Sequence, residues 1–182
     1  MHSYARALAS VTQGARVRLG CTRPSSRTRI VSGAESRRSV VMSSGRKPGV
    51  ASDEEFDAFL AAAAGRNIVV VDARNPDFSI EADDAKFGAD GGSAPISQCG
   101  TPARPNAVNI PFEREAKRLQ PQGVEALETK TGGDKTTPIV THCGGGGRGQ
   151  KAKEALEAMG YSNVVNGGGP AVAELWTKFG SL

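Results

Sequence analysis

The sequence predicts an α/β fold in three layers, a parallel sheet of about five strands with helices on both faces. Two observations carry this expectation. Ile68–Val71, Ile139–Val140 and Val164–Val165 are near-continuous β-branched apolar runs, as strands buried on both faces require. The segments between them space their apolar residues like helices, and strands that alternate with helices build a parallel sheet.

The elements follow in order. Ser52 and Glu55 form a capping box ahead of a first helix with Phe56, Phe59, Leu60 and Ala63 as its apolar stripe, and Gly65 ends it. Strands are expected at 67–73, about 107–110, 138–143 and 163–165, with a short fifth near Val50. Gly123–Thr129 reads as a helical turn or short helix. Residues 149–159 place Ala152, Ala155, Leu156 and Met159 at i, i+3, i+4 and i+7, and Gly160 stops that helix. Pro170 suits the first turn of a last helix running through Trp176.

Charge is unevenly placed along the chain. The 182 residues carry a net charge of +4, yet residues 1–44 alone hold eight arginines, nine serines and one acid, Glu35. The remainder is mildly acidic, so nothing in it indicates nucleic-acid binding. An Arg- and Ser-rich, acid-poor leader without a long apolar run reads as an organellar transit peptide, cut near Val40–Ser43. Serine as abundant as arginine favours a chloroplast over the mitochondrial matrix. The competing interpretation is a basic arm that stays on the protein and binds acidic surfaces. No run approaches the length of a membrane span. Residues 45–182 are then one domain.

Loss of the leader removes Cys21 and leaves Cys99 and Cys143, too few for a disulfide framework and suited to a reducing compartment. The histidines are His2 and His142, so no His/Cys metal cluster is expected, and no cofactor. His142 precedes Cys143 in a strand and faces the other way, as a packing or hydrogen-bonding residue.

The chemistry is concentrated after the 138–143 strand. Cys143 opens a loop of Gly144, Gly145, Gly146 and Gly147, closed by Arg148 and Gly149 at the start of a helix. Helix N-termini and curled glycine backbone present N–H groups to an anion, and a nearby guanidinium favours a thiolate over a thiol. A purely packing cysteine needs neither the glycines nor the arginine. Gly144, Gly146 and Gly149 also satisfy G-x-G-x-x-G, but Asn166 stands where a dinucleotide site expects a carboxylate. A P-loop would need Ser or Thr where Ala152 follows Lys151.

The C-x4-R loop, the helix after it, the stretch Gly160–Gly168 and Trp176 together resemble the carboxyl-terminal half of a rhodanese-like sulfurtransferase domain. Ile68–Arg74 resembles that family's Asp-x-Arg strand, and Ala107–Pro111 its Ala-x-Asn-Ile-Pro segment. The resemblance spans roughly residues 50–180. It implies a rhodanese-like fold and a sulfurtransferase in which the Cys143 thiolate takes sulfur from a small anionic donor such as thiosulfate. The resulting persulfide is passed to a thiol or to cyanide. Loop N–H groups would hold the persulfide, Arg148 would neutralise donor and leaving group, and Asp72 with Arg74 would brace the site. Other members of the fold imply alternatives: a sulfur carrier or protein-binding module without turnover, or a phosphatase or arsenate reductase.

Two departures stand out. Residues 75–106 form an insertion with five acids and Cys99, and Ala103-Arg104-Pro105-Asn106 replaces the family's His-Ile-Pro-Gly turn. So long a connection is expected to be largely disordered, with a lid as the alternative. The four glycines leave Arg148 as the loop's own charge, and their freedom predicts a loop that stays mobile until an anion orders it.

Overall fold

A computed structural model describes residues 45–77 and 95–182. The expected transit peptide, 1–44, and residues 78–94 of the insertion lie outside the described residues. In chain order the elements are α1 (Asp53–Ala62), β1 (Val69–Asp72), a 3-10 turn (Ile96–Gln98), β2 (Ala107–Asn109), β3 (Phe112–Glu113), β4 (Arg118–Leu119), α2 (Pro121–Thr131), β5 (Ile139–His142), α3 (Gly147–Ala158), β6 (Val164–Asn166) and α4 (Ala173–Phe179).

The strands of the main sheet run in the order β2-β1-β5-β6, all parallel. β1 and β5 sit in the middle, with Asp72 beside His142 in register. Successive residues alternate between the two faces. Val69, Val71 and Ile139 pack with Leu127 of α2 and Ala152 and Leu156 of α3. Val70 and Val140 pack with Phe56 of α1 and Leu175 and Phe179 of α4. Both faces are therefore covered, which is the three-layer arrangement that the apolar strands require.

The local signals act as expected at several ends. Ser52 Oγ accepts from the Glu55 N–H at 3.1 Å while Glu55 Oε2 accepts from the Ser52 N–H at 2.8 Å, and Gly160 turns out of α3 at φ +92°. Elsewhere the structure corrects the expectation. The main sheet has four strands among the described residues, not five. Near Val50 the chain turns at Gly49, φ +84°, with the Val50 N–H bonded to Lys47 O, so only the Ala51 N–H reaches β6, at Asn166 O (3.0 Å). A two-stranded antiparallel hairpin, β3–β4, was not anticipated. Its strands are two residues each, too short for a periodic signal. The expected short helix is the full eleven-residue α2, with Pro121 at its start. α3 begins at Gly147 rather than Gly149, and α4 at Ala173, three residues beyond Pro170.

One contact sets how closely α3 approaches β5. A Cβ at Gly149 would lie 2.6 Å from Asn166 Oδ1 and 3.0 Å from His142 Cα. Alanine is the better helix former by about 1 kcal/mol, but forcing a methyl group against backbone costs about 1–3 kcal/mol. Strain should win, because the His142 backbone is held in the sheet. Gly149→Ala is expected to lower the urea unfolding midpoint without changing its slope; an unchanged or raised midpoint would mean that α3 slides at no cost.

Candidate active site

β1 leads to β2 on one side of the sheet and β5 leads through α3 to β6 on the other. Ligands of open α/β sheets bind at the carboxyl ends of strands where the order diverges in this way. Cys143 stands there, immediately after β5 and four residues before α3. It is 5% exposed and lines a cleft of about 520 Å³.

The loop that follows is tied down from outside. The Cys143 N–H donates to Gly168 O (3.0 Å), the Ala171 N–H to Gly144 O (2.9 Å), and both the Gln150 N–H (2.8 Å) and Asn166 Nδ2 (3.0 Å) to Gly146 O. His142 Nδ1–H donates to Cys143 O at 3.0 Å. Carbonyls 143, 144 and 146 are thus occupied, and the amides are left to the sulfur side. The Gly146 N–H donates to Cys143 Sγ at 3.2 Å, while the N–H groups of Gly144 and Gly145 have no acceptor among the described residues.

The glycines divide by task. Gly146 needs to be glycine: its φ is +99°, and a Cβ would lie 2.3 Å from Val50 Cγ2. Gly144, Gly145 and Gly147 line the cleft, and Lys47 lies over two of them, about 3.7–3.9 Å from Cβ positions built on Gly145 and Gly147. Gly149, expected among the ligand-binding residues, does not line the cleft; it packs on β5. Arg148 does line it, in the first turn of α3. A cation there opposes the helix dipole, and an anion in the loop would relieve both.

Asp72 and Arg74 lie behind Cys143 and outside the cleft lining, each 0% exposed. Arg74 Nε donates to Asp72 Oδ1 at 2.8 Å, and Arg104 NH1 to Asp72 Oδ2 at 3.2 Å. Arg104 NH2 is 2.8 Å from His142 Nε2. A guanidinium only donates, so Nε2 carries the lone pair and Nδ1 the proton that bonds Cys143 O. The ring also packs edge-on against Trp176 at 5.1 Å, with Arg104 over the same indole at 5.5 Å.

Burial alone would raise the Asp72 carboxyl; the surrounding cations hold it well below the usual carboxylate range instead. Of these, Arg74 and Arg104 act at every pH, and His142 only once it is protonated. Burial pushes His142 down to about 4, with Asp72 opposing and Arg104 and Arg74 reinforcing. Cys99 approaches Arg104 with its sulfur 3.5 Å from NH1. Burial, with Asp72, pushes that thiol up to about 11, which makes it a poor nucleophile near neutrality.

Sequence reasoning missed Arg104, Asn166 and the cleft-lining cations Arg46, Lys47, Arg114 and Lys151. Arg104 and Asn166 had visible signals: a basic residue in place of the family's histidine turn, and an amide just before three glycines. The cleft cations come from separate segments, and no local pattern joins them.

The model of the rhodanese-like domain family matches residues 52–171, about two-thirds of the chain. The chain belongs to the rhodanese-like family. Among solved structures it is similar to a human single-domain sulfurtransferase, TSTD1, at 20% identity and a TM-score of 0.37, covering 72% of this chain and 97% of that one. Comparison with curated proteins found no match. Membership supports sulfur transfer at family level. In this rhodanese-like domain the turn after the Asp-x-Arg strand supplies a second guanidinium to the same aspartate. Among the described residues no helix is long and apolar enough to cross a membrane.

The buried imidazole has a measurable consequence. Unfolded His142 titrates near 6.5 and folded His142 near 4, so between these values the unfolded chain holds the extra proton. Stability is complete above about pH 6.5 and falls as the pH drops towards 4, by at most about 1.4 kcal/mol per unit. Urea unfolding from pH 7 to 4.5 should show this slope, and His142→Gln should remove most of it. A flat profile in the unaltered protein would mean that His142 is not held neutral.

Proposed function

We propose that the protein is a thiosulfate sulfurtransferase-like enzyme that works through a persulfide on Cys143. The Cys143 thiolate attacks the outer sulfur of thiosulfate, the sulfur–sulfur bond breaks, and its electron pair leaves with sulfite. An acceptor thiolate then attacks the terminal sulfur of the protonated persulfide, takes it as a new persulfide, and returns Cys143 as thiolate. Cyanide can accept in the same position. This is covalent catalysis in two displacements.

The observation that carries the reading is the Gly146 N–H donating to Cys143 Sγ at 3.2 Å, in a loop whose Gly144 and Gly145 amides have no acceptor among the described residues. Arg148, Lys47 and Lys151 in the cleft walls suit an anionic donor and a sulfite leaving group. A phosphatase reading is weaker on loop size. Four residues separate Cys143 from Arg148, one fewer than in the C-x5-R loops of related phosphatases, and a phosphoryl group must seat three oxygens where a persulfide seats one sulfur. Among the described residues no carboxylate lines the cleft to protonate a leaving alcohol.

Incubation with thiosulfate should add one sulfur atom to Cys143, read by mass spectrometry, and the loaded protein should turn over with a thiol or cyanide. Cys143→Ser keeps the size but removes the ionisable, polarisable nucleophile; transfer should drop on the order of a thousandfold or more, with the unfolding midpoint little changed. A persulfide that forms but never discharges would favour the carrier reading. Labelled sulfur transferred by the serine variant would exclude Cys143 as the carrier atom.

The same proposal includes import into an organelle, preferentially the chloroplast, with the mitochondrial matrix as the alternative. Its support is the Arg- and Ser-rich, acid-poor composition of residues 1–44 ahead of a mildly acidic domain. The amino terminus of the natural protein should begin at roughly residues 38–50. Finding Met1 intact would support a retained basic arm.

A further inference from the structure

Asn166 is the last residue of β6, 1% exposed, and does not line the cleft at Cys143. Its side chain bonds two backbone groups whose roles are fixed. Nδ2 donates to Gly146 O at 3.0 Å, and Oδ1 accepts from the Gly168 N–H at 3.0 Å. A carbonyl only accepts and an N–H only donates, so the amide has one permitted orientation. Asparagine offers that donor and that acceptor from two separate atoms, whereas an ionised aspartate has no donor and leucine has neither.

The two residues it joins each reach Cys143. The Gly146 N–H donates to Sγ at 3.2 Å, and Gly168 O accepts the Cys143 N–H at 3.0 Å. One buried side chain therefore connects the residue that holds the sulfur with the residue that holds the cysteine backbone. The connection matters because Gly146 sits at φ +99° and ψ −15°, and glycine by itself leaves both torsions wide open. The Gln150 N–H also reaches Gly146 O, at 2.8 Å, but it ties the loop to α3; Asn166 ties it to the strand side, where the Cys143 backbone is fastened.

We propose that Asn166 is a positioning residue for the Cys143 nucleophile: by holding Gly146 and Gly168 at a set separation it keeps the Gly146 N–H on the sulfur and so favours the sulfur anion. The inference rests on the sulfur-transfer reading of Cys143 and adds a residue that acts on that sulfur without touching donor or acceptor. The effect enters twice. It favours the thiolate that attacks the donor. In discharge the sulfur–sulfur bond breaks, the electron pair returns to Cys143 Sγ, and a sulfur that keeps its N–H donor is the better leaving group.

The test is the rate of Cys143 alkylation by neutral iodoacetamide in the full chain, read at that residue by mass spectrometry from about pH 5 to about pH 10. Asn166→Leu removes both bonds at similar size. Asn166→Asp keeps the acceptor for the Gly168 N–H and sets a carboxylate against Gly146 O. Losing a hydrogen bond to a charged group makes the thiolate scarcer but also more nucleophilic, and the two effects offset in part. On the acid side of the profile both variants should react roughly three- to tenfold more slowly than the unaltered protein. At the alkaline plateau they should react as fast or faster, so the profiles cross. Loosened packing alone would instead speed alkylation of the buried cysteine at every pH, and urea unfolding of the same variants measures that loosening separately. Should the leucine variant fail to fold, the aspartate variant alone decides.

Profiles that coincide with that of the unaltered protein, or that rise at every pH, would overturn the positioning role and leave sulfur transfer standing. Crossed profiles, in a protein that forms no persulfide with thiosulfate, would keep Asn166 as the residue that positions a reactive thiolate and remove the sulfur-transfer reading.

Discussion

A carboxylate with no solvent exposure, Asp72, is the constraint on which the rest of the site depends. A buried unpaired charge is prohibitive, and a buried pair survives only when its hydrogen bonds are nearly complete. Arg74 and Arg104 meet that demand from two segments far apart in sequence, and Arg104 also fixes the tautomer of His142. The bonded imidazole then holds the carbonyl of Cys143. Through this chain of contacts a charge pair that never reaches the cleft determines how the cysteine loop leaves the sheet.

The loop itself is built almost wholly of backbone. Each glycine held in one conformation forfeits more chain entropy than alanine would, about 0.5–1 kcal/mol. External hydrogen bonds offset that cost by fastening the carbonyls to Ala171, Gln150, Asn166 and His142. Because each peptide unit has its N–H opposed to its C=O, anchoring the carbonyls outward turns amides towards the sulfur. The three glycines 167–169 make this possible from the other side: a Cβ at Gly169 would overlap Cys143 O, and one at Gly168 would crowd Val172.

How much of this was legible in the sequence follows from the range of each interaction. The capping box at Ser52, the buried β-branched strands and the cysteine loop between a strand and a helix are local, and their signals lie within a few residues. Asp72 and Arg74 were identifiable as a brace because the resemblance to the family's Asp-x-Arg segment rests on three consecutive residues at the end of β1. Arg104 was not, because its role depends on a turn 32 residues beyond Asp72 folding back onto it. That no strand forms near Val50 turned on Gly49, whose positive φ bends the chain away before a ladder can form. The hairpin that carries Phe112 and Arg114 was invisible for the opposite reason: two-residue strands have no period to read.

The division of labour between backbone and side chains sets what this site can tolerate. A backbone amide, Gly146 N–H, reaches the sulfur, and the cations that line the cleft come from the segment before α1, the β3–β4 hairpin and the first turns of α3. Under the proposed sulfur transfer, holding the sulfur anion and recognising the molecules that deliver or remove it therefore use different atoms on different elements. Exchanging a wall cation would alter which donor or acceptor is favoured while leaving the amide ring in place. Any change that disturbs the fastening at Asn166, His142 or Gly169 would reach the sulfur directly. The glycine tetrad makes this separation nearly complete, since a loop with no side chains between Cys143 and Arg148 contributes shape and N–H groups and leaves selectivity to its surroundings.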